Sequence, residues 1–372
     1  MSGLRDLSSL SLDQMTAMVK EFGQPEFRAR QLYRWVYHSP VASIPEMSNL
    51  PASLRETLSA HCMLPRLLVE KEQRSSDQTI KSLFRLHSGR LIESVLIPDF
   101  ASDEERYGGG SATRLTVCVS SQVGCAMACS FCATGRMGFH QNLTAGEILE
   151  QVRRLDQQGH DVFGRGISNV VFMGMGEPLQ NYDEVVRSVG LMHDPDGLGL
   201  SFKRITISTV GLARRIRKLA DDGVEANLAI SLHAPEDAKR SSIMPVNRAA
   251  RTDLVALREA VTYYSETTSK RVTYEYCMFD GFNDGVEDAK NLANVCRWAP
   301  SKVNLIMYNP VPGSAFSRTP ETALNDFIRE LVNRDVRVTV RRSRGQDIAA
   351  ACGQLAADTG VDAQAPSTDP AP

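Results

Sequence analysis

The sequence lacks any long hydrophobic run. No stretch approaches the ~20 consecutive apolar residues that a membrane helix needs, and the N-terminus "MSGLRDLSSLSLDQM" has no apolar signal-peptide core. Neither sign of charge dominates, because the formal net charge is −2 over 372 residues. A near-neutral total gives no sign of bulk nucleic-acid binding, although it is compatible with a local basic patch. We therefore expect a cytosolic globular protein with no membrane partner.

Cysteine is also sparse, with eight residues in the chain. In the reducing cytosol these thiols are not expected to form a disulfide framework, so clustered cysteines indicate a metal or a catalytic site. Cys62, Cys277 and Cys296 lie outside any cluster. We predict that these three are small buried apolar side chains.

Residues 1–84 differ in pattern from the rest and predict a small helical accessory domain. "SLDQMTAMVKEFG" and "EFRARQLYRWVYHS" have helical periodicity, and "IPEMSNLPASLRETLSAH" indicates short helices broken by prolines. Residues 85–110 are predicted to form a strand pair and a linker. "SLFRLHSGRLIESVLIP" is typical of two strands joined by a Ser-Gly turn, and "DFASDEERYGGGSA" is typical of a polar loop.

Residues 111–356 alternate between strand-like and helical segments. Seven β-rich segments, beginning with "RLTVCVS" and ending with "VRVTVRR", are separated by six helical patterns such as "TAGEILEQVRRLDQQ". Such repetition predicts a parallel sheet with right-handed crossovers, whose ligands gather at the C-terminal ends of the strands. Six units and a final strand are too few for a closed eight-stranded barrel. We therefore predict an α/β fold with an open, partial barrel.

Local signals add detail to this outline. Thr144 and Glu147 are spaced as a capping box, and Asn181 and Thr252 suit the N-cap positions of the helices that follow them. "RGQDIAAACG" has helical character, with a glycine that could end the helix. The tail at 357–372 has no apolar periodicity, so we predict that it is disordered.

Three cysteines lie within eight positions in "GCAMACSFCATGRMGF" (124–139), as Cys125, Cys129 and Cys132. Zinc ligands usually come as two separated pairs, and the sequence has no second C-x-x-C. Closely spaced thiolates suit an iron–sulfur cube, and three ligands would leave one iron open to a substrate. A zinc site completed by His140 is the alternative.

The C-x-x-x-C-x-x-C spacing, with an aromatic residue before the last cysteine, resembles the radical S-adenosylmethionine (SAM) superfamily. That superfamily has a partial (β/α)6 barrel as its core. The resemblance implies a [4Fe–4S] cluster held by Cys125, Cys129 and Cys132. It also implies that SAM occupies the fourth iron and is cleaved to a 5′-deoxyadenosyl radical when an electron arrives.

Neighbouring segments resemble the RlmN/Cfr family of RNA adenine methyltransferases, and most of all its C2-methylating branch. The resemblance covers residues 85–356 in order, through "SSQVGCAMACSFCATGRMGFHQNLTAGEI", "FMGMGEPLQN", "ISTVGL", "AISLHAP", "NLIMYNPVPG" and "RRSRGQDIAAACGQL". It implies methylation at C2 of an adenine in the peptidyl-transferase region of 23S rRNA and of the adenine 3′ of the tRNA anticodon. The alternative is the sister activity, C8 methylation of the rRNA adenine, which confers antibiotic resistance. Chain length and the sizeable N-terminal region favour C2.

Carbon 2 of adenine is not nucleophilic, so it cannot displace a methyl group from SAM directly. The resemblance implies that Cys352 first accepts the methyl group from one SAM, and that a second SAM supplies the radical that activates it. The product is a covalent protein–RNA intermediate. Cys118 would release the RNA through a transient disulfide with Cys352, while Glu93 takes the ring proton. Without the resemblance, Glu93 reads as an exposed strand residue and each of the two cysteines as a buried thiol.

"MGMGEP" ends a predicted strand, where Gly174 and Gly176 permit close backbone approach and Glu177 could pair with an ammonium group. By itself this segment reads as an ordinary strand-to-loop turn, and His233 as a satisfied polar residue. The resemblance implies a SAM-binding set consisting of Gly176, Glu177, Ser208, Ser231, Leu232, His233 and Asn309.

Arg341, Arg342 and Arg344 form a basic group just before Cys352. Such a run is usually a solvated face, but beside a methyl-carrying cysteine it could hold RNA phosphates, with "RARQLYRW" extending the track. The expected partners are 23S rRNA, tRNA and a flavodoxin-like electron donor, and the expected state is a monomer. A non-catalytic RNA-binding or zinc-stabilised assembly protein is the rival from another class.

Overall fold

The computed structural model describes residues 4–38, 41, 43–108, 110–249 and 252–356. The predicted disordered tail at 357–372 lies outside these ranges. No helix within them combines the length and the apolar character needed to cross a membrane.

The strands fall into one large sheet and two small ones. Their bounds are β1 (Arg5–Asp6), β2 (Cys62–Met63), β3 (Leu68–Arg74), β4 (Ile80–Arg85), β5 (Leu91–Asp99), β6 (Arg114–Cys118), β7 (Gln122–Gly124), β8 (Phe139–Asn142), β9 (Asn169–Phe172), β10 (Ile205–Thr209), β11 (Asn227–Ser231), β12 (Val272–Met278), β13 (Ser301–Met307) and β14 (Val338–Arg341). The large sheet has the order β14-β13-β12-β11-β10-β9-β6-β5-β4-β3. β1 pairs with β2, and β7 with β8.

The helices lie between these strands and in the N-terminal region. Their bounds are α1 (Leu12–Glu21), α2 (Phe27–Tyr37), α3 (Ala52–His61), α4 (Asp103–Gly108), α5 (Ala133–Arg136), α6 (Ala145–Phe163), α7 (Tyr182–His193), α8 (Ala213–Asp221), α9 (Asp237–Ile243), α10 (Val246–Ala249), α11 (Leu254–Thr268), α12 (Val286–Cys296) and α13 (Glu321–Val332). The six predicted crossover helices are α6, α7, α8, α11, α12 and α13.

The strands from β6 to β14 in the large sheet run parallel, as predicted, while β5, β4 and β3 extend it antiparallel beyond β6. β3 has no counterpart among the predicted strands. Its side chains are mostly exposed, so the apolar alternation that reveals a strand is missing. Pairing with β4 supplies the backbone hydrogen bonds that hold this edge strand.

The parallel part of the sheet curls into a partial barrel. β6 and β14 are six strand positions apart, which in a flat sheet would separate them by ~29 Å. Instead, Cys118 at the end of β6 and Arg341 at the end of β14 line the same cavity of about 380 Å³, which we call the Arg341 cavity. The predicted partial (β/α)6 barrel is therefore confirmed.

The N-terminal helices pack onto the barrel through the first turn of α6. Ser9 Oγ accepts a hydrogen bond from the Gly146 amide at 2.8 Å, and Thr144 Oγ1 donates to Asp6 Oδ2 at 3.3 Å. Apolar residues of α1, α2 and α3 belong to the same core as those of α6 and the sheet. The helical region is thus joined to the barrel by a packed interface.

The predicted helix starts were partly right. Thr144 and Glu147 form the expected capping box. Asn181 occupies the N-cap position of α7, but its amide donates to backbone oxygens instead of capping the helix. The prediction for Thr252 was wrong, because Asp253 is the N-cap of α11 and accepts from the Ala256 amide at 2.8 Å.

Two other local predictions need correction. The predicted loop "DFASDEERYGGGSA" contains the short helix α4. "RGQDIAAACG" forms only a 3-10 turn at Gln346–Ile348, flanked by Gly345 and Ala349 in the left-handed region with φ of 63° and 50°. Left-handed residues interrupt helical hydrogen bonding, so Cys352 lies in an irregular segment.

Candidate active site

The three clustered cysteines lie in the connection from β7 to α5. Cys125 and Cys129 are buried and Cys132 is half-buried. Burial raises the pKa of all three thiols, and the two neighbouring thiols raise that of Cys129 further. Three thiols that influence one another electrostatically lie close together, so the structure brings the predicted cluster ligands into one site.

The surroundings of these thiols fit an iron–sulfur cluster. The cysteines pack in an apolar group with Met127, Met244 and Phe279, and soft thiolate ligands in such a shell are typical of these clusters. In the described part of the chain, no three His, Cys, Asp or Glu side chains are arranged to hold a single metal ion. His140, the fourth ligand of the zinc alternative, is exposed on β8.

A second cavity, of about 150 Å³, lies beside Cys132 along the ends of β9, β10, β11 and β12, and we call it the Glu177 cavity. It contains most of the predicted cofactor-binding residues, namely Gly176, Glu177, Ser208, Ser231 and His233. Leu232 has its side chain in the hydrophobic core. Asn309 lines the adjacent Arg341 cavity, where its side chain donates to the Cys352 carbonyl at 3.3 Å.

Glu177 is a buried carboxylate with both oxygens engaged. Oε1 accepts from the Leu179 amide at 2.9 Å and Oε2 from the Val210 amide at 2.8 Å. Burial raises the pKa of Glu177 to about 7, against the opposing effect of these N–H donors. Gly176 precedes it with φ of 102°, and a Cβ there would lie 2.6 Å from the Gln122 side chain, so glycine is required.

His233 is held in one orientation. Its Nδ1 accepts from the Cys277 amide at 3.0 Å, which places the proton of the neutral ring on Nε2. Burial lowers the pKa of His233 to about 3, so the ring is neutral at physiological pH. Phe131 of the cysteine loop packs edge-on against it, with the ring centroids 4.9 Å apart. The side chain can therefore donate one hydrogen bond from Nε2 to a bound molecule.

Cys118 and Cys352, distant in sequence, line the same Arg341 cavity. Burial raises the pKa of Cys118 to about 12, and nearby Cys352 adds to this effect. Cys352 also lines the Glu177 cavity together with Cys132, so its position connects the two cavities. All eight cysteines are free thiols in this structure.

The three arginines of the basic group all line the Arg341 cavity, with different exposure. Arg341 Nη1 lies 3.0 Å from Met173 Sδ, and nearby Cys352 raises the pKa of Arg341. Arg342 is exposed, and its Nη1 lies 3.4 Å from Asp103 Oδ2. Their expected role in binding RNA phosphates stays a prediction.

Glu93 is buried, so its interpretation as an exposed strand residue was wrong. It lies on β5, an inner strand of the sheet that pairs with β4 on one edge and with β6 on the other. Val95 is directly opposite Cys118, and Glu93 lies two residues before Val95 on the same face. The carboxylate thus projects on the side of the sheet that carries the Cys118 thiol.

Glu275 is a site residue that the sequence analysis missed. It is 3% exposed and lines the Glu177 cavity. Oε1 accepts from Asn304 Nδ2 at 2.8 Å, while the buried Oε2 has no hydrogen-bond partner among the described residues. A carboxylate inside the apolar strand "VTYEYCM" is the signal that could have revealed it.

Cys277 was predicted to be a core thiol. It is buried, but it lines the Glu177 cavity and packs in the same apolar group as the cluster cysteines. Cys62 is buried and Cys296 is half-buried, and both belong to or pack against the main core. Only the fold reveals that one of these three isolated cysteines borders the site.

Two family models match the chain. Residues 119–293 match the Radical SAM superfamily, and residues 5–64 match the ribosomal RNA large subunit methyltransferase N-terminal domain. The first match contains the three clustered cysteines and the Glu177 cavity from β9 to β12. The second covers α1, α2 and α3.

Curated relatives align along nearly the whole chain. The probable dual-specificity RNA methyltransferase RlmN of Salinibacter ruber is 54% identical over 351 residues, which cover 94% of each chain. The dual-specificity RNA methyltransferase RlmN of an Anaeromyxobacter species is 44% identical, covering 95% of this chain and 91% of the relative. A crystal structure of a radical SAM methyltransferase from Sphaerobacter thermophilus superposes with a TM-score of 0.85 at 42% identity, covering 94% and 99% of the two chains.

Proposed function

Because the chain belongs to the RlmN family of radical SAM RNA methyltransferases, we propose that it methylates C2 of an adenine in 23S rRNA and of the adenine 3′ of the tRNA anticodon. The observation that carries this proposal is the shared cavity of Cys118 and Cys352, next to the cluster cysteines. Methylation through an S-methylcysteine intermediate needs two thiols that lie close enough to form a disulfide. The relatives reported above give no support to the C8 alternative.

The cofactor sites follow from the donor groups. Cys125, Cys129 and Cys132 would hold a [4Fe–4S] cluster, and the Glu177 cavity would hold SAM on its open iron. When bound, these groups supply the radical that activates an S-methyl group. His233 offers an N–H donor, and the unpartnered Glu275 oxygen offers an acceptor for a hydroxyl or amino group of SAM. Glu275 thereby joins the predicted cofactor-binding set.

Cys352 would receive the methyl group. Its sulfur would form the new S–CH₃ bond as the methyl–sulfur bond of SAM breaks, leaving S-adenosylhomocysteine, and the thiol proton would pass to solvent. Arg341 lies in the same cavity and interacts electrostatically with Cys352.

After the methylene carbon has bonded to adenine, Glu93 would accept the ring proton, and the unpaired electron of the adduct would return to the iron–sulfur centre. The Cys118 sulfur would then lose its proton and attack the sulfur of Cys352. This breaks the S–CH₂ bond, and the carbon takes up a proton to become the methyl group of the released RNA. An external thiol or electron donor would reduce the resulting disulfide.

The reaction would also need SAM, electrons and a surface that binds RNA. Two SAM molecules are used per turnover, one as methyl donor and one as radical source. A flavodoxin-like donor would supply electrons to the cluster, and the enzyme would act in the cytosol as a monomer. The exposed Arg342 and the arginines of α2 are the candidates for contacts with RNA phosphates.

Nucleoside analysis tests this function directly. Anaerobically prepared protein is incubated with SAM, a reductant and unmodified rRNA or tRNA, and the digested RNA is analysed by mass spectrometry. We expect 2-methyladenosine from both RNAs and an iron–sulfur absorption band. Formation of 8-methyladenosine would establish the sister activity, and protein without iron would support the non-catalytic rival.

A further inference from the structure

Lys81 on β4 and Glu93 on β5 form a buried ion pair. Lys81 Nζ lies 3.0 Å from Glu93 Oε1, and the two residues are 7% and 6% exposed. A buried ion pair compensates for its lost hydration only if the remaining donors and acceptors also find partners. Each of these side chains makes a further hydrogen bond, and both bonds go to the same stretch of chain.

That stretch is residues 349–356, which we call the Cys352 segment. Lys81 Nζ donates to the Ala349 carbonyl at 3.3 Å, and Glu93 Oε2 accepts from the Ala356 amide at 2.9 Å. The first contact lies three residues before Cys352 and the second four residues after it. A single ion pair thus contacts both arms of the segment that carries the thiol.

The first turn of α5, which follows Cys132, also holds the Cys352 segment. The Ala133 amide donates to the Gly353 carbonyl at 2.7 Å, and Thr134 Oγ1 donates to the Leu355 carbonyl at 2.6 Å. The segment has no regular secondary structure of its own beyond turns. Its position depends on these hydrogen bonds together with those from Asn309 to the Cys352 carbonyl and from Gln354 to the Pro310 carbonyl, and Lys81 contributes one of them.

We propose that Lys81 is a positioning residue that holds the Cys352 segment through Ala349 and Glu93. The inference rests on the proposed function, in which Cys352 carries the methyl group and Glu93 takes the proton from the adenine ring. That proton neutralises the Glu93 carboxylate and removes the ionic attraction to Lys81. The Cys352 segment is then released at the step at which the Cys118 sulfur must reach that of Cys352.

Hydrogen exchange and thiol labelling test whether Lys81 holds the Cys352 segment. Both are measured on the full-length protein reconstituted with its cluster. The variants are Lys81→Met, Lys81→Arg, Glu93→Gln as a mimic of the protonated state, and Lys71→Met as a control on exposed β3. We expect Lys81→Met and Glu93→Gln to raise amide exchange across residues 349–356, and iodoacetamide labelling of Cys352, by about tenfold, the effect of one lost charged hydrogen bond. Lys81→Arg and Lys71→Met should remain near wild type.

Lys81→Met leaves a buried carboxylate without its counter-ion, so Lys81→Met/Glu93→Gln is made as a folding-competent substitute and should show the same increase. Methyl transfer from SAM to Cys352 is a second readout. In Lys81→Met we expect kcat to fall about tenfold with KM for SAM unchanged, because the thiol is misplaced while the Glu177 cavity is intact.

If both Lys81→Met and the double variant show wild-type exchange and labelling rates, Lys81 does not hold the Cys352 segment and the proposal is refuted. Absence of any S-methylation of Cys352 in the wild-type protein would instead refute the proposed function. In that case the exchange comparison still decides whether Lys81 holds the Cys352 segment.

Discussion

Cys118 and Cys352 carry the same thiol in different surroundings. Cys118 is buried at a strand end, and burial raises its pKa to about 12, so it rests as the protonated thiol. Cys352 lies in an irregular segment between two cavities and beside Arg341. A half-buried thiol near a guanidinium suits the first nucleophile, whereas the buried Cys118 thiol must lose its proton before its sulfur can attack that of Cys352 in the later, resolving step.

Cys118→Ala tests this division of roles. We expect the variant to accept the methyl group on Cys352 and to form the RNA adduct, but not to release it, because no thiol attacks the bridging sulfur. Denaturing gel electrophoresis should show a protein–RNA crosslink that persists. Cys296→Ala, distant from both cavities, is the control, and normal turnover by Cys118→Ala would contradict the assignment.

Arg341→Met should slow methyl transfer to Cys352. Arg341 interacts electrostatically with Cys352 in the same cavity, and the loss of about 1.4 kcal/mol of transition-state stabilisation with that charge would slow the step about tenfold. Mass spectrometry of the Cys352 peptide after incubation with SAM measures the rate. Arg342→Met removes a neighbouring exposed charge and should leave this step unchanged, and an equal effect of both substitutions would show that Arg341 has no special role.

Glu275→Gln should weaken SAM binding roughly tenfold, as expected for one hydrogen bond to a charged acceptor. Asn304 donates to one Glu275 oxygen, so the amide of a glutamine would present its NH₂ group to the cavity in place of an acceptor. Equilibrium dialysis with the unreduced protein gives the affinity. Glu287→Gln on exposed α12 is the control, and unchanged affinity in Glu275→Gln would remove that residue from the binding set.

At the scale of elements, the chain after β14 folds back onto the hairpin between β3 and β4. Asp77 Oδ2 accepts from the Gly345 amide at 3.0 Å, and Asp347 Oδ1 accepts from Ser75 Oγ at 2.5 Å. Burial tends to raise the pKa of Asp77, but hydrogen bonds, first from Thr79 and then from Gly345, outweigh it and lower that pKa. The antiparallel extension of the sheet therefore anchors the start of the stretch that leads to Cys352.

Asp77→Ala should destabilise the protein by about 1–2 kcal/mol, because two amide donors lose their acceptor. Urea unfolding at pH 7 measures the change. Since the folded pKa is lowered, the stabilisation is present above the unfolded pKa and is lost as the pH falls through the folded value, so the difference between variant and wild type should vanish in acid. Asp326→Ala on exposed α13 should change stability little.

At the scale of the whole molecule, the helical region and the barrel share one core. Gly146 lies where the chain before α1 meets the first turn of α6, and a Cβ there would lie 2.2 Å from Ser8 Oγ and 2.7 Å from Asp6 Oδ2. A larger residue would displace these side-chain ends, which are held by hydrogen bonds, or the chain that carries them. Close approach at this point of the interface thus depends on glycine.

Gly146→Ala should lower the free energy of unfolding despite the better helix propensity of alanine, because the contact with Ser8 leaves no room for a methyl group. Gly190→Ala in α7 is the matched control: a Cβ there meets nothing within 4 Å, so the substitution should stabilise by about 0.5–1 kcal/mol. Thermal and urea unfolding give both values. Stabilisation by Gly146→Ala would contradict this expectation, because it would show that the interface has room for a methyl group.

Local signals in the sequence determined a large part of this structure. Strand–helix alternation predicted the parallel strands and their crossover helices, the Thr144 capping box was recognised, and the motifs identified the family. These features depend on residues close together in the chain, where periodicity and side-chain chemistry act directly. The three-cysteine spacing is of the same kind, since one loop carries all three thiols.

Tertiary structure decided what depends on residues far apart in sequence. The burial of Glu93 against Lys81 and Ala356 and the position of Arg341 inside a cavity left no local pattern. Glu275 stands out as a carboxylate in an apolar strand, but only the fold shows that one of its oxygens is open to a cavity. The sequence pattern also failed to predict β3. The side chains of this edge strand are mostly exposed, and hydrogen bonds to β4, not an apolar face, hold it in the sheet. The sequence alone determined the parallel strands, their crossover helices and the family they resemble. The curling of the sheet decided which side chains share a cavity, because it brings strand ends together that a flat sheet would keep apart.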